Sequence, residues 1–178
     1  MATKKKSQTY ENLHDLLLLK LEVLHDVESQ LIKALPKMAE AATAPELRDA
    51  FTMHLEETRR QEERIDRALE LMGKPEKPKE KSAAIRGLIE DAQWCIKAVK
   101  NPEARDAILI AAAQYVEHYE MAGYGSALSW AEEMGHSQIA ELLQETLDEE
   151  EAADTKLSDL AEGGINEAAN DMQEEESE

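Results

Sequence analysis

Four glutamates carry the main chemical signal in this chain. Glu28, Glu57, Glu120 and Glu149 each interrupt an apolar stripe of helical spacing, and a shift of 92 positions carries Glu28 onto Glu120 and Glu57 onto Glu149. Carboxylates set among core residues are costly to bury, and four together repel, so such a seam needs compensating positive charge. No arginine or lysine falls on the stripes beside them. Two divalent or trivalent metal ions about 3.5–4 Å apart, bridged by glutamates, would satisfy the cluster.

Two neighbours extend the candidate set. His54 lies three residues before Glu57 on the same helical face and offers an imidazole nitrogen, either as a direct ligand or as a hydrogen-bond donor to one. Glu117 lies three before Glu120 and either adds a fifth carboxylate or remains a solvated flank. The candidate metal ligands are therefore Glu28, His54, Glu57, Glu117, Glu120 and Glu149. Gln61, one turn beyond Glu57, reads as a group that orients a ligand, and His25, the repeat equivalent of Glu117, reads as solvated. Tyr115, Tyr119 and Tyr124 read as packing groups, with one near the site able to hydrogen-bond there. Met53, Met121 and Met134 are assigned to the core, and Glu56, Glu62, Glu63, Asp148, Glu150 and Glu151 to solvated faces.

Long helices must position these residues. Leu17, Leu21, Leu24, Leu31, Leu35 and Met38 recur at intervals of three and four, giving a helix from about Tyr10 to Ala42 that contains Glu28 and a kinking Pro36. A second stripe runs Leu47, Phe51, His54, Glu57, Gln61, Ile65, Ala68 and Met72, closed by Gly73. Lys74 to Lys81, rich in proline and lysine, reads as a solvated linker, and Ser82 suits the N-cap of a shorter helix reaching about Val99. Asn101 and Pro102 open a third long helix ending at Gly135. A fourth carries Ile139, Leu142, Thr146, Glu149, Ala153, Leu157 and Leu160 until Gly163 and Gly164 stop it. Residues 1–9 are expected to be flexible, and the acidic stretch 166–178 to be disordered.

The 92-residue shift also maps Leu17 onto Leu109, Leu24 onto Val116, Leu47 onto Ile139 and Ile65 onto Leu157. Two helical hairpins on one plan, joined by about thirty residues, describe an all-α four-helix bundle over residues 10–165, with one long crossover containing a short fifth helix. In each hairpin the two glutamates stand at nearly equal distance from the turn, so all four converge near mid-bundle.

Composition excludes several functions. With 39 acidic residues against 20 basic ones and a net charge of −19, the chain lacks the basic surface that nucleic acid requires. Cys95 is the single cysteine, so no internal disulfide forms. The run Leu16 to Leu19 is too short for a signal h-region or a membrane span, and a cytoplasmic protein is expected. No Gly-rich phosphate loop, nucleophile elbow or zinc spacing competes with the carboxylate seam.

Several segments make a family resemblance specific: Leu24-His-Asp-Val-Glu28-Ser-Gln-Leu, Ala34-Leu-Pro-Lys-Met-Ala-Glu, His54-Leu-Glu-Glu-Thr, Ile110-Ala-Ala-Ala-Gln, Glu117-His-Tyr-Glu120 with Tyr124-Gly, and Glu145-Thr-Leu-Asp-Glu149-Glu. Over about Leu13 to Glu162 the chain resembles the YciE/YciF family of the ferritin-like superfamily, bacterial stress-associated proteins. The resemblance implies a ferritin-like bundle, a dimer, and a centre of two iron ions, with manganese or another divalent metal as alternatives. The activity expected of such a di-metal centre is oxidation of Fe(II) or reduction of peroxide, with oxygen or peroxide as partner. Against it stands a non-catalytic interaction protein whose acidic seam binds metal only structurally. Ferritin-like sites usually carry Glu-x-x-His on the second and fourth helices. Here Arg60 and Ala152 occupy those histidine positions and His54 has Thr146 as its repeat equivalent, so an asymmetric site is expected. Leu88, Trp94 and Ile96 on the crossover helix exceed what one small helix can bury and are expected to contact a partner chain.

Overall fold

A computed structural model describes residues 9–74 and 80–171. The helices are α1 (Leu13–Ala41), α2 (Pro45–Leu71), α3 (Ala83–Ala98), α4 (Pro102–Glu133) and α5 (Ser137–Leu160), followed by a π-helical turn (Ala161–Ile165) and α6 (Asn166–Asp171). No strand occurs among the described residues.

The helix ends follow local chemistry. Asn12 caps α1 by accepting from Asp15 N at 3.0 Å, Ser82 caps α3 through Ile85 N at 3.2 Å, and Asn101 caps α4 through Ala104 N at 2.6 Å. Proline stands in the first turn of both α2 and α4, where no backbone hydrogen bond is lost. The ends of α2 and α4 are the same motif. Gly73 and Gly135 adopt positive φ of 75° and 71°, and the following amides of Lys74 and His136 reach back to Leu69 O and Ala131 O, each at 2.9 Å. α1 continues through Pro36, which lies on its exposed face.

α1 packs on α2 and α4, and α5 packs on the same two, so α1 and α5 lie on one diagonal of the bundle and α2 and α4 on the other. This is the expected bundle of two hairpins with a long crossover, α3 lying over α1 and α4. Asp26 of α1 ties the crossover down, accepting from Ser82 N at 2.9 Å and pairing with Lys81 Nζ at 2.6 Å. Asp106 of α4 accepts from Thr43 N and Ala44 N at 2.8 and 2.6 Å, holding the α1–α2 turn.

The apolar core forms two clusters. One gathers Leu31, Leu35, Leu47, Phe51, Ile85, Leu109 and Ile110 around the α1–α2 turn, and the other gathers Leu17, Leu21, Ile65, Leu69, Ile139 and Leu143 at the opposite end. Each such side chain stabilises the fold by roughly 1.5–3 kcal/mol when buried. A polar layer lies between the clusters.

Three expectations are corrected. Gly163 and Gly164 do not end the ordered chain: Gly164 takes φ 137°, the backbone passes through the π-helical turn, and α6 packs on α4. Of the tail expected to be disordered, 166–171 form α6, and 172–178 lie outside the described residues, as do residues 1–8 and linker residues 75–79. Met53 is not core but 65% exposed. At Gly123 the α4 backbone approaches α1 closely, since a Cβ there would meet Leu24 Cδ2 at 3.0 Å.

Candidate metal centre

All four long helices contribute to the polar layer. α1 supplies Glu28, α2 His54, α4 Glu117 and Glu120, and α5 Glu150, and every one of these residues is buried. One ligand atom from each of His54, Glu117, Glu120 and Glu150 lies within 4.8 Å of the others. His54 Nε2 stands 3.5 Å from Glu117 Oε1 and 3.8 Å from Glu150 Oε2, while its Nδ1 is 3.4 Å from Glu57 Oε2. The buried Tyr124 hydroxyl donates to Glu28 Oε1.

The electrostatics are those of a site with too many carboxylates. Glu28 Oε2, Glu117 Oε2 and both oxygens of Glu120 and Glu150 are buried without a hydrogen-bond partner. Burial, and then the charge of Glu150, pushes the Glu28 carboxyl up to about 8. Glu117 is likewise raised to about 8, mainly by burial. Glu120 and Glu150 lie well above the usual carboxylate range, because of burial and then of neighbouring carboxylates. Burial would depress His54, but its contact with Glu57 and the charges of Glu150, Glu57 and Glu28 outweigh this and raise it.

Such a cluster must hold protons or cations. Four carboxylates with unpartnered oxygens and one imidazole come from four helices, and ligand atoms of His54, Glu117, Glu120 and Glu150 lie close enough together to hold a metal ion. The residues present therefore fit a metal group.

Four of the six candidates named from sequence, Glu28, His54, Glu117 and Glu120, enter this layer. Glu57 stays at its edge, half-buried, with its pKa lowered chiefly by the contact with His54. Glu149 does not join. Its carboxylate turns to α2, where Arg64 Nη1 and Nη2 donate at 2.7 and 2.8 Å and Gln61 Nε2 at 3.1 Å. The adjacent Glu150, assigned from sequence to a solvated face, takes the buried position with 0% exposure.

The reason is helical register. The inward positions on α2 run His54, Thr58, Gln61 and those on α5 run Ile139, Leu143, Thr146, Glu150, Leu157. The step after His54 and after Thr146 is therefore four residues, not three. The 92-residue shift still holds, pairing buried Thr58 with buried Glu150. The expectation that no arginine or lysine stands beside the seam glutamates fails here, since Arg64, one turn beyond Gln61, reaches Glu149. Gln61 orients a carboxylate as expected, although that carboxylate is Glu149. His25 is not simply solvated, as its Nε2 lies 3.1 Å from Asp66 Oδ1.

A cavity of about 640 Å³ opens between α2 and α5 and reaches His54, Glu57 and Glu117. Since Glu28, Glu120 and Glu150 are 0% exposed, His54 and Glu117 form the part of the layer that this opening meets. No helix among the described residues is long and apolar enough to cross a membrane.

Four antiparallel helices with one long crossover, enclosing a carboxylate and imidazole layer, define a ferritin-like bundle with a potential metal centre. The chain belongs to the family described as a domain of unknown function, DUF892, whose model matches residues 12–170. It is 44% identical to protein YciF of Escherichia coli K12 over 159 residues, spanning 89% of this chain and 96% of that one. The crystal structure of the E. coli stress protein YciF superposes with a TM-score of 0.84, covering 88% of this chain and 99% of the other. YcfI from Rhodopseudomonas palustris gives 0.82 at 43% identity, covering 86% and 97%. A Xanthomonas campestris protein, 21% identical with a TM-score of 0.69 over 91% and 98% of the two chains, shares the fold. These relatives agree with the resemblance that the sequence segments carry.

Proposed function

We propose that this chain is a di-metal carboxylate protein, with iron as the preferred metal, that oxidises Fe(II) or reduces peroxide under stress and works as a homodimer. The observation that carries the reading is the group of buried carboxylate oxygens on Glu28, Glu117, Glu120 and Glu150 that have no donor. The stress context is extended from the E. coli relative, which is described as a stress protein.

Bound at this layer, a metal pair would supply one-electron or two-electron redox chemistry towards oxygen or peroxide. The protein's own part is positional. Glu120 and Glu150 would offer both oxygens, Glu28 would offer the oxygen not held by Tyr124, and Glu117 and His54 line the open side. Neutral imidazole is the ligating form, so His54 would hold a metal through Nε2 once that nitrogen is deprotonated. Glu57 would accept from Nδ1–H and so fix the ring orientation, leaving Nε2 turned towards Glu117 and Glu150. The two apolar clusters keep bulk water from the layer above and below.

The test is elemental analysis of protein purified without added metal, followed by anaerobic Fe(II) loading and exposure to oxygen or peroxide. The reading expects about two metal ions per chain and Fe(II) oxidation faster than in protein-free buffer, at about two Fe(II) per peroxide. Metal bound at that stoichiometry without faster oxidation would favour a structural role, and no bound metal would refute the reading.

A further inference from the structure

We propose that the cavity between α2 and α5 is a binding site for an organic molecule with an apolar body and a protonated amine. Its size is the first argument. About 640 Å³ falls within the range of small-molecule sites, and far exceeds what a metal ion, oxygen or peroxide needs.

Its lining is the second argument. Phe51, Met53, Ala153 and Leu157 give an apolar wall, of which Met53 is 65% exposed. Around this wall stand the exposed carboxylates Glu46, Asp49 and Asp148, with Glu145 paired to Arg64 and Lys156 as the one cation among the lining residues. An anionic ligand such as a fatty acid would meet repulsion from this rim, whereas an ammonium group would be drawn to it.

At its inner end the cavity meets His54 and Glu117 of the polar layer. Glu117 lines the cavity, is 3% exposed, and keeps Oε2 without a hydrogen-bond partner. An apolar body can therefore lie along Phe51 and Leu157 while its amine meets carboxylates of the rim. The inference concerns the groove itself and does not depend on metal in the neighbouring layer.

Three probes sharing one body separate the contributions: 4-phenylbutylamine, 4-phenylbutanol and 4-phenylbutyrate, titrated into the isotope-labelled full chain at pH 7 and followed by amide chemical shifts. The amine should bind about tenfold tighter than the alcohol, and the carboxylate weakest, with shifts confined to α2 and α5 around the groove. Ala153→Trp should fill the groove and remove binding of both amine and alcohol. Because that substitution could disturb packing, the paired exposed changes Asp49→Asn and Asp148→Asn give a second reading. They should narrow the gap between amine and alcohol while leaving the alcohol's affinity unchanged. Equal affinity of the three probes, absence of binding, shifts outside the groove, or Ala153→Trp binding the amine like wild type would overturn the proposal. So would a concentration-dependent dimer that covers the groove, since its occupant would then be a second copy of the chain.

Discussion

Arg64 grips Glu149 with both terminal nitrogens, at 2.7 and 2.8 Å, across the α2–α5 contact. Glu149 is thereby neutralised within the protein, while Glu150, one residue on, has His54 as its one cationic neighbour among the described residues. The two neighbours should respond oppositely to mutation. Glu150→Ala is expected to lower metal stoichiometry, yet to stabilise the metal-free protein by removing one of the repelling carboxylates. Glu149→Ala should leave the stoichiometry intact and destabilise the fold by about 1–2 kcal/mol through loss of a partly buried, charge-assisted pair. Elemental analysis and urea unfolding of both variants check this, and metal loss confined to Glu149→Ala would reverse the assignment.

That pair also marks the limit of what could be read in advance. The bundle was legible because Leu17, Leu24, Leu47 and Ile65 and their repeat equivalents are buried apolar residues, with caps and glycines at the helix ends. Glu28 and Glu120 were legible because they sit directly in register with those leucines. On α2 and α5 the spacing is ambiguous. With 3.6 residues per turn, a face can advance by three or four, and only the neighbouring helices decide which. His54 to Glu57 and His54 to Thr58 are equally good helical steps, and packing selected Thr58 and its equivalent Glu150. The continuation into α6 was hidden for a different reason, since a glycine pair usually ends a helix, but Gly164 here lets the chain rewind.

Stability of the metal-free protein should fall as pH rises. The carboxyls of Glu28 and Glu117 have pKa values near 8 in the native state against 4.5 ordinarily, and Glu120 and Glu150 shift in the same direction. Between these values the native chain keeps protons that the unfolded chain has released, so the unfolded state gains relative to it with increasing pH. His54, also raised, acts in the same sense. Thermal unfolding of chelator-treated protein should show a Tm at least about 5 °C lower at pH 8 than at pH 5.5, and added Mn(II) should restore most at pH 8, where protons compete least. A metal-free Tm that rises over this window would contradict the buried carboxylate layer.

Tyr124→Phe isolates the hydrogen bond to Glu28. The ring still fills its place, but Glu28 Oε1 loses its donor in a fully buried site. We expect a loss of about 1–3 kcal/mol in stability and weakening of metal affinity by roughly tenfold or more, because Glu28 is no longer oriented. Urea unfolding and competitive metal titration measure the two effects, and unchanged metal affinity would show that Glu28 does not act as a ligand.

The crossover helix gives a test of dimerisation. Leu88 and Ile96 pack in part against the chain's own core, so of the three residues expected to face a partner only Trp94 stands out, 68% exposed. Light scattering of the wild type should give the mass of a dimer, shifting towards the monomer for Trp94→Glu. A wild-type mass that stays monomeric over a hundred-fold concentration range, about the span such an experiment covers, would contradict the homodimer.

The central claim is that the carboxylate and imidazole layer is a two-metal site, and anomalous scattering tests it most directly. Crystals of the full chain, loaded with Fe(II) without oxygen and measured on either side of the iron edge, should show two peaks about 3.5–4 Å apart among Glu28, His54, Glu117, Glu120 and Glu150. His54→Ala crystals should retain one peak and lose most of the other, since the single imidazole serves one side of the layer. Iron confined to the outer carboxylates of the groove, or no anomalous signal within the bundle, would contradict the account.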